Sequence, residues 1–595
     1  MSSTPHRRPH SLSELEFERR TPVRWFSPPV LARAGAKVVL SSALGDYLDK
    51  REMQQMLGRS IVNAPCQADE VWVDFVADTG DGFDPTYTVA WCTSQPHLRP
   101  EGAERDLPRA DVVVFGGDEV YPYANPKEYE DRFVGPFRSA LPWTDPDPAR
   151  PLPHPLLLAI PGNHDWYDGL TGFMRVFAQG RWVGGRCTVQ TRSYFAVDLP
   201  GPYWLWGIDI QNGAYLDVAQ RDYFRAAAEE MDADDRLILC TAKPSWADLG
   251  EDPDAYRNLS FVERELVPPD VTTVLMISGD KHHYARHQQA EPPKGSLPTM
   301  KVTAGGGGAF LSGTQQLDRR IEVPKLEHDS VAVPLDEDGV PPAGPPHTEE
   351  FTLECRYPSA DRSRSLSLRA LALGWFNWSF LLVPGVFHVL MFAGSGSAPR
   401  SDDLDAVAER WNYGDLLLGP LRSPATVVLL LVLWALLAAF VDIPKRVRGV
   451  TASGRRIVVG LAHTGAHLAV HAGVAWLAIA ACSALPGWWF VVVTTVVVAV
   501  LGAVAGSVTV GAYLVLSLTL AGRHETEVFS SFRHEGYKNF LRLHVTPTGV
   551  TVHPIGIEEV CRDWRLDPAA GREASYLSPT RPIRTHLIEA PFTVR

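Results

Sequence analysis

The chain has little cysteine and no excess of positive charge. Its seven cysteines are odd in number, scattered over 595 residues and without the short spacings of metal-binding clusters. This pattern favours a reducing compartment over a disulfide framework. A formal net charge of -13 argues against a nucleic-acid binder, which normally presents a basic face. Residues 1–35 contain no continuous apolar run, so we expect no secretory signal there and place the polar parts of the chain in the cytosol.

Apolar residues are concentrated between about residues 370 and 521, where valine, leucine, alanine and tryptophan dominate. A chain of 595 residues exceeds what one compact core organises, so two or more units are expected. We predict an N-terminal extension at 1–65, a polar enzyme-like domain at 66–365, a membrane domain at 366–522 and a C-terminal segment at 523–595.

Short apolar runs in the polar part end in glycine and an acidic, amide or imidazole residue. Runs such as Val71–Val76 and Val112–Phe115 are typical of buried strands that present polar side chains at their carboxyl ends. The run ends form an oxygen-rich set with one imidazole, which suits Mn, Fe, Zn or Mg, and two ions can share one carboxylate. The candidate metal ligands are Asp78, Asp118, Asn163, Asp280 and His282.

One of these run ends carries three polar groups in a single turn, Asn163-His164-Asp165. A strand that ends there aims an amide, an imidazole and a carboxylate at one point. We predict that His164 donates a proton and that Asp165 holds its ring in one tautomer.

Four blocks follow one another along the chain: Asp78-Thr79-Gly80, Gly117-Asp118-x-x-Tyr121, Gly162-Asn163-His164-Asp165 and Gly279-Asp280-x-His282. Together they resemble the calcineurin-like metallophosphoesterase family over about residues 70–310. The resemblance implies a four-layer αββα sandwich, here with an inserted all-α transmembrane bundle. It also implies a phosphoester hydrolase that uses metal-bound hydroxide in an in-line attack.

The resemblance further implies two metal ions bridged by Asp118. Asp78 and His282 would complete the first site, with Tyr121 where purple acid phosphatases place a tyrosinate. Two blocks depart from the common pattern. The first has Gly80 in place of a histidine, as in purple acid phosphatases, and the last has Asp280 in place of a histidine, as in D-type bacterial alkaline phosphatases.

By the same resemblance, Asn163 and Asp280 would bind the second ion and His164 would protonate the leaving group. The second ion lacks one ligand, because the usual His-x-Pro block here reads Ala242-Lys243-Pro244. Lys243 either places an ammonium beside the phosphate or is a solvated surface lysine. If the site is degenerate, the protein is a catalytically weak sensor or scaffold that binds a phosphorylated ligand.

Four apolar stretches follow, at 370–393, 425–441, 457–481 and 488–521. A helix needs about 20 residues to span a bilayer, so the last stretch is either one tilted helix or two short ones broken near residues 502–506. Basic residues flanking the stretches predict four spans with both polar parts on the cytoplasmic side. A β-hairpin after the last span, at about 539–555, is expected to pack onto the phosphoesterase sheets.

Three histidines recur at every fourth residue of the third apolar stretch: His463, His467 and His471. They share one helix face, and ionisable groups within a span are costly enough to indicate function. A metal, a proton or a lipid phosphate could bind there, with Asn377 or His388 as a partner. Neutral histidines bonded to neighbouring helices are the structural alternative, and a transporter is a third functional interpretation.

The favoured interpretation is a membrane-anchored metallophosphoesterase that hydrolyses a phosphomonoester or phosphodiester. Tethering to the bilayer points to a lipid-linked phosphate as a candidate substrate and to membrane lipid as a partner, whereas no nucleic acid is expected. The cofactors would be divalent or trivalent ions of Mn, Fe, Zn or Mg, two in number, with the second site incomplete.

Overall fold

A computed structural model describes residues 8–33, 54, 61–64, 69–142, 155–211, 216–294, 296–325, 347–394, 413–447, 449–568, 571 and 574–595. The chain divides into two compact units. The first combines Met1–Val23, Ala34–Ala360 and Arg533–Arg595. The second combines Arg24–Arg33 with Asp361–Phe532.

Among the described residues, the first unit contains two nine-stranded sheets and two short two-stranded ones. In chain order the strands are β1 (Val62–Asn63), β2 (Val71–Val76), β3 (His97–Leu98), β4 (Leu107–Pro108), β5 (Val112–Phe115), β6 (Leu156–Ala159), β7 (Trp182–Val183), β8 (Arg186–Thr188), β9 (Phe195–Asp198), β10 (Tyr203–Ile208), β11 (Arg236–Thr241), β12 (Thr272–Ser278), β13 (Tyr284–Gln289), β14 (Met300–Ala304), β15 (Arg320–Lys325), β16 (His347–Tyr357), β17 (Lys538–Thr546), β18 (Gly549–Ile557), β19 (Trp564–Leu566), β20 (Leu577–Pro579), β21 (His586–Leu587) and β22 (Phe592–Val594).

One large sheet has the strand order β1-β9-β10-β11-β12-β14-β13-β16-β15. The other has the order β21-β18-β17-β2-β5-β6-β8-β7, and β22 also pairs with β18. Neighbours are parallel at the centre of each sheet, from β10 to β14 in the first and from β2 to β6 in the second. Parallel strands end at a common edge, so the polar residues that follow them are gathered there.

Helices cover the outer faces of both sheets. Apolar residues from the two facing sheet surfaces, such as Phe75 and Leu275, form one core between the sheets. Tyr87 and Phe224 belong to two further cores, one on each outer face. This is a four-layer αββα arrangement, so the predicted fold class is confirmed. The helices are α1 (Phe83–Ser94), α2 (Pro126–Tyr129), α3 (Gly135–Ala140), α4 (Asn163–Trp166), α5 (Thr171–Phe177), α6 (Val218–Ala228) and α7 (Arg257–Glu265).

The chain that returns after the second unit contributes a strand beside β2. β17 pairs antiparallel with β2, placing Leu541 opposite Phe75 and Val545 opposite Val71. On its other side β17 forms a hairpin with β18. The strand that leads to Asp78 is therefore flanked on one side by β5 and on the other by a strand that follows it by more than 450 residues.

The described residues of the second unit form helices joined by turns, with no strand among them. Its two longest helices, Gly449–Cys482 and Gly487–Ala521, are long and apolar enough to cross a membrane. Two further pairs of helices are each bent at a short break, and the number of spans rises to four if each pair crosses once. The pairs are Ala360–Phe376 with Trp378–Gly394, bent by 69°, and Tyr413–Arg422 with Pro424–Phe440, bent by 89°. The helices are α8 (Ala360–Ser367), α9 (Leu373–Phe376), α10 (Leu382–Gly394), α11 (Tyr413–Arg422), α12 (Pro424–Phe440), α13 (Gly449–Cys482), α14 (Gly487–Ala521) and α15 (Glu525–Phe532).

The last apolar stretch is one unbroken helix, α14, so a break near residues 502–506 does not occur. Gly502 and Gly506 instead make room for His388 of α10. A Cβ on Gly502 would lie 2.5 Å from the Cβ of His388, and one on Gly506 would lie 3.2 Å from its Nε2. Small residues permit such close helix packing in membranes. At 1.5 Å per residue α14 is about 50 Å long, more than a hydrocarbon core of about 30 Å.

Candidate active site

Three aspartates follow parallel strands and share one unusual backbone conformation. Asp78, Asp118 and Asp280 have φ values of 59°, 54° and 67°. This left-handed region costs a non-glycine residue about 1–2 kcal/mol, and aspartate is one of the few side chains that visit it. Strain of this kind clusters at functional sites. The three carboxylates leave β2, β5 and β12 at neighbouring edges of the two sheets.

The hydroxyl group of Tyr121 lies at the centre of the predicted first metal site. It is 3.1 Å from Asp78 Oδ1, 3.3 Å from Asp118 Oδ2 and 3.1 Å from His282 Nε2. The His282 nitrogen is 3.7 Å from Asp78 Oδ1. Four side chains predicted from the sequence are therefore in mutual contact, although they are spread over more than 200 residues of chain.

Glycines surround these carboxylates where a larger residue would collide with them. A Cβ on Gly162 would lie 2.1 Å from Asp118 Oδ1. A Cβ on Gly279 or Gly305 would lie 2.7 Å or 2.5 Å from Asp78 Oδ2. These three glycines, of which Gly162 and Gly279 belong to the predicted blocks, therefore leave the space that the carboxylates occupy.

The carboxylates are buried close to one another. Burial first, and then the charges of Asp118 and Asp280, raise the pKa of Asp78 well above its ordinary value. Burial first, and then Asp165 and Asp280, do the same for the pKa of Asp118. A bound cation reverses this effect, because it favours the charged form of each carboxylate.

His282 has the protonation state that a metal ligand requires. Burial first, and then the ammonium of Lys538, lower the pKa of His282 well below its ordinary value. Its Nδ1 donates to the carbonyl of Phe310 at 2.8 Å, which leaves Nε2 toward Tyr121. A carbonyl partner on the second ring nitrogen is the usual way to orient a ligating histidine.

The donor set suits a metal cation. Within the described ranges, no three His, Cys, Asp or Glu side chains form a ready-made ion cage, and the Tyr121 hydroxyl lies between the donors. Two buried carboxylates, a phenol and a neutral imidazole nevertheless match the ligands that Mn, Fe and Zn accept. The residues present therefore fit a metal ion held by Asp78, Asp118, Tyr121 and His282.

Asp280 and Asn163, the predicted ligands of the second ion, lie beside this cluster but make fewer contacts with it. The backbone amide of Asp280 donates to both oxygens of Asp78, at 3.1 and 2.9 Å, and the Asp280 charge acts on Asp118. The amide of Asn163 donates to the hydroxyl of Tyr167 at 3.4 Å. Asn163 follows Gly162, which packs against Asp118.

Sequence reasoning missed Gln211, whose Nε2 lies 3.5 Å from Asp280 Oδ1. Its Oε1 has no hydrogen-bond partner among the described residues. A carbonyl oxygen that could ligate a metal ion therefore lies close to Asp280. Gln211 follows β10, an apolar run closed by Asp209. The signal was therefore the same strand-end pattern that identified the other candidates.

Asp165 does not have the predicted role of holding the His164 ring. Its Oδ2 accepts hydrogen bonds from the backbone amides of Gly162 and Asp118, both at 2.9 Å. Its Oδ1 accepts from the hydroxyl of Tyr129 at 2.6 Å. The carboxylate thus ties two of the ligand-bearing turns together, because amides at a tight turn otherwise lack partners.

The His164 ring is oriented by a backbone carbonyl instead. Nδ1 lies 2.8 Å from the carbonyl oxygen of Pro122, and the ring packs against Tyr121 with centroids 4.4 Å apart. The backbone amide of His164 donates to Asp118 Oδ1 at 2.8 Å. The imidazole therefore lies next to the predicted metal ligands, and burial lowers its pKa below the ordinary value.

Lys243 is half-buried and lies at the end of β11. The neighbouring Ala242 approaches the site, since a Cβ on Gly117 would lie 3.0 Å from the Ala242 Cβ. The Lys243 charge, with that of Lys281, acts on the carboxylate of Asp248. The Asp280 charge acts on the same carboxylate, so Lys243 and Asp280 both lie near Asp248.

The three predicted intramembrane histidines are buried within the second unit, and His388 joins them. His388 Nδ1 lies 3.2 Å from His471 Nδ1. His463 stacks on His467 with ring centroids 5.2 Å apart, and on Tyr513 at 4.3 Å. Asn377, the other predicted partner of these histidines, instead donates its side-chain amide to the carbonyl of Ser531 at 2.5 Å.

Residues 71–284 match the family model described as calcineurin-like phosphoesterase. None of the curated proteins compared with the chain matches it. Among solved structures, purple acid phosphatase PPD1 from yellow lupin (Lupinus luteus) seeds is similar at 16% identity and a TM-score of 0.27. That similarity covers 41% of this chain and 45% of the lupin chain, so this chain matches less than half the length of the lupin enzyme.

The family match identifies residues 71–284 as a calcineurin-like phosphoesterase domain. The prediction of a phosphoester hydrolase of the metallophosphoesterase class is therefore confirmed. Domains of this class use divalent metal ions.

Proposed function

We propose that the protein is a membrane-anchored, metal-dependent phosphoesterase that hydrolyses a phosphomonoester or a phosphodiester. The observation that carries this proposal is the convergence of Asp78, Asp118 and His282 on the hydroxyl of Tyr121. A cluster of this chemistry, with raised carboxylate pKa values, suits a cation. The calcineurin-like phosphoesterase domain provides the reaction class.

Each side chain then has a defined part. Asp78, Asp118, Tyr121 and His282 would hold one metal ion, and Asn163 and Asp280 would hold a second, with Gln211 close enough to contribute. When bound, the ions supply Lewis acidity and neutralise charge on the phosphoryl oxygens. Lys243 and Lys281 add positive charge at the rim, where an anionic ester enters.

His164 would exchange the proton of the leaving group. A carbonyl oxygen can only accept, so the bond to Pro122 places a proton on Nδ1 and leaves Nε2 for exchange. Burial holds the free imidazole neutral, and a bound phosphate anion would favour its protonated form. The ring is therefore positioned to protonate the leaving oxygen and then to lose that proton again.

The second unit would anchor the enzyme as a multi-pass domain. Lys445, Arg446 and Arg455 follow α12 or lie at the start of α13, and such basic links favour the cytoplasmic side. An enzyme held at the bilayer surface meets lipid head groups at high local concentration, which supports a lipid-linked phosphate as substrate. His388, His463, His467 and His471 would form a separate polar site inside the anchor.

The proposal is tested with the full-length protein purified in detergent and supplied with Mn²⁺. Turnover of p-nitrophenyl phosphate and of bis(p-nitrophenyl) phosphate is compared between wild type, Asp118→Asn and His164→Ala. Both variants should lose at least about 100-fold in kcat, whereas the exposed Asp198→Asn control should keep wild-type rates. Absence of turnover with Mn²⁺, Fe²⁺, Zn²⁺ and Mg²⁺, together with retained binding of phosphate, would instead establish the sensor.

The lipid arm of the proposal uses the same protein in vesicles. Release of phosphate from vesicles containing phosphatidic acid is compared with release from a soluble glycerol phosphate at equal concentration. A clear preference for the vesicle substrate supports a lipid-linked ester. Equal or faster hydrolysis of the soluble ester would count against it while leaving the phosphoesterase itself intact.

A further inference from the structure

The loop formed by residues 305–311, here called the glycine loop, contacts two of the predicted metal-binding segments. The amide of Ala309 donates to the carbonyl of Asp78 at 2.8 Å, and the amide of Gly307 donates to the carbonyl of Ala77 at 2.8 Å. The carbonyl of Phe310 accepts from His282 Nδ1 at 2.8 Å. The position of this loop therefore sets the backbone of one ligand and the ring of another.

The other side of the glycine loop is held by the segment that follows the membrane insertion. The buried ammonium of Lys538 donates to the carbonyl of Ala309. The amide of Asn539 donates to the carbonyl of Gly306 at 3.0 Å, and the amide of Leu311 donates to the carbonyl of His534 at 2.9 Å. Three hydrogen bonds thus join the loop to residues 534–539.

A second attachment comes from the segment that precedes the insertion. The hydroxyl of Thr314, three residues beyond the glycine loop, donates to the carbonyl of Pro358 at 2.8 Å. The guanidinium of Arg356 donates to the carbonyl of Thr314 at 3.0 Å. Both ends of the chain that frame the second unit therefore fasten this part of the phosphoesterase unit.

Lys538 stands out among these contacts because its side chain is fully buried. A buried ammonium is costly unless its hydrogen bonds and charge are satisfied. Asp81, Glu535 and Asp78 supply negative charge nearby, and the carbonyl of Ala309 accepts its hydrogen bond. An apolar residue would fill the same space without that cost. The hydrogen bond to the glycine loop therefore explains why a lysine occupies this position.

We propose that Lys538 is a positioning residue of the metal centre, which holds the glycine loop and through it Asp78 and His282. The inference rests on the proposed function, since it assigns a role within the same site. It also means that the phosphoesterase site is complete only when the chain has returned from the membrane insertion. The segments flanking the second unit are thereby built into the support of the metal ligands.

The test compares Lys538→Met with wild type in the full-length protein. Hydrogen exchange is measured over a peptide that covers residues 303–311, without metal, and the affinity for Co²⁺ is measured by its visible absorption. Exchange of the glycine loop should rise in Lys538→Met, and Co²⁺ affinity should fall by about 10–100-fold, the usual effect of removing support behind a metal ligand. Lys538→Arg, which keeps a cationic donor, should recover most of that affinity.

Lys301→Met is the matched control. Lys301 is also a buried lysine, but its ammonium contacts the hydroxyl of Tyr256 at 3.0 Å rather than the glycine loop. It lies on β14, the strand that leads into the loop, so it reports the effect of losing a buried ammonium close by. An equal loss of Co²⁺ affinity in Lys301→Met, or no change in Lys538→Met, would overturn the proposal.

Gly306→Ala provides a second test if Lys538→Met does not fold. A Cβ on Gly306 would lie 2.2 Å from Asn539 Nδ2 and 2.4 Å from Asn539 N, which pushes the loop away from β17 and leaves every charge in place. Its Co²⁺ affinity should also fall, and unchanged affinity would contradict the inference. If wild type binds Co²⁺ but turns over no phosphoester, the proposed function fails while these binding measurements still decide the role of Lys538.

Discussion

The guanidinium of Arg542 on β17 forms a bidentate ion pair with the carboxylate of Asp74 on β2. Nε and Nη2 each donate at 2.7 Å, one to each carboxylate oxygen, and neither side chain is exposed. The two residues are 468 positions apart. Paired charges of this geometry join the two parts of the phosphoesterase unit that the helical second unit separates in sequence.

Replacing Arg542 by Met should destabilise the phosphoesterase unit by about 3–5 kcal/mol, because it leaves the Asp74 carboxylate buried without a partner. The double variant Arg542→Met/Asp74→Leu should recover much of that loss. Urea unfolding of the full-length protein in detergent, followed by tryptophan fluorescence, measures both.

The control for this pair is Arg320→Met. Arg320 and Glu350 are 3.3 Å apart with side chains 73% and 42% exposed, and exposed pairs contribute about 1 kcal/mol or less. A loss in Arg542→Met no larger than in Arg320→Met would contradict a structural role for the buried pair.

Mn²⁺ should stabilise the phosphoesterase unit, and a chelator should reverse the effect. Binding to the folded state adds about 2.7 kcal/mol at 100 times the Kd, since the buried carboxylates of Asp78 and Asp118 then face a cation. Differential scanning calorimetry with and without EDTA measures the shift in Tm. Asp118→Asn should remove most of the shift, and a full shift in that variant would place the ion elsewhere.

Much of the fold follows from local patterns in the sequence. Apolar runs closed by Gly and an acid predict strands that present ligands. Accordingly, Asp78, Asp118 and Asp280 follow the ends of β2, β5 and β12 within three residues. The sandwich class and the reaction class are confirmed. These features could be predicted because each depends on residues that are neighbours in the chain.

Features set by distant partners could not be predicted in the same way. The alternation of apolar residues at Leu541, Leu543 and Val545 predicts a strand, but it does not indicate that this strand pairs with β2. The sequence also pairs His164 with Asp165 because they are adjacent, whereas in the fold the carbonyl of Pro122 has that place. Every residue has a backbone carbonyl, so the sequence does not reveal which carbonyl accepts the hydrogen bond of the His164 ring.

The length of α14 illustrates a different limit. Gly502 and Gly506 weaken an isolated helix, which favours a break there. In the fold the same glycines accommodate His388, and packing outweighs helix propensity. Sequence alone cannot distinguish a glycine that ends a helix from one that admits a neighbouring side chain.

Gly162→Ala should reduce phosphoesterase activity by at least about 10-fold, because the new Cβ would lie 2.1 Å from Asp118 Oδ1 and overpacking must displace the carboxylate. The kcat on p-nitrophenyl phosphate and the affinity for Mn²⁺ should both fall. Gly465→Ala on α13, where a Cβ would meet nothing within 4 Å, is the control and should match wild type. Unchanged Mn²⁺ affinity in Gly162→Ala would show that Asp118 is not a ligand.

Stability of the phosphoesterase unit should fall between about pH 6.5 and pH 4, and His553 on β18 should contribute to the fall. Burial first, and then the charge of Arg542, lower the pKa of His553 to about 4. Neither ring nitrogen has a hydrogen-bond partner among the described residues. The unfolded chain takes up a proton near its ordinary pKa of about 6.5, whereas the folded chain does so only near pH 4.

The unfolded state therefore binds more protons throughout this window, so the free energy of unfolding decreases as the pH falls. A shift of this size corresponds to about 1–3 kcal/mol. His553→Leu keeps a similar buried volume and cannot titrate, so its stability should depend less steeply on pH between 6.5 and 4 than that of wild type. Urea unfolding at pH 7.0, 5.5 and 4.5 measures the difference. Parallel curves for the two proteins would show that His553 is protonated in the folded state as readily as in the unfolded one.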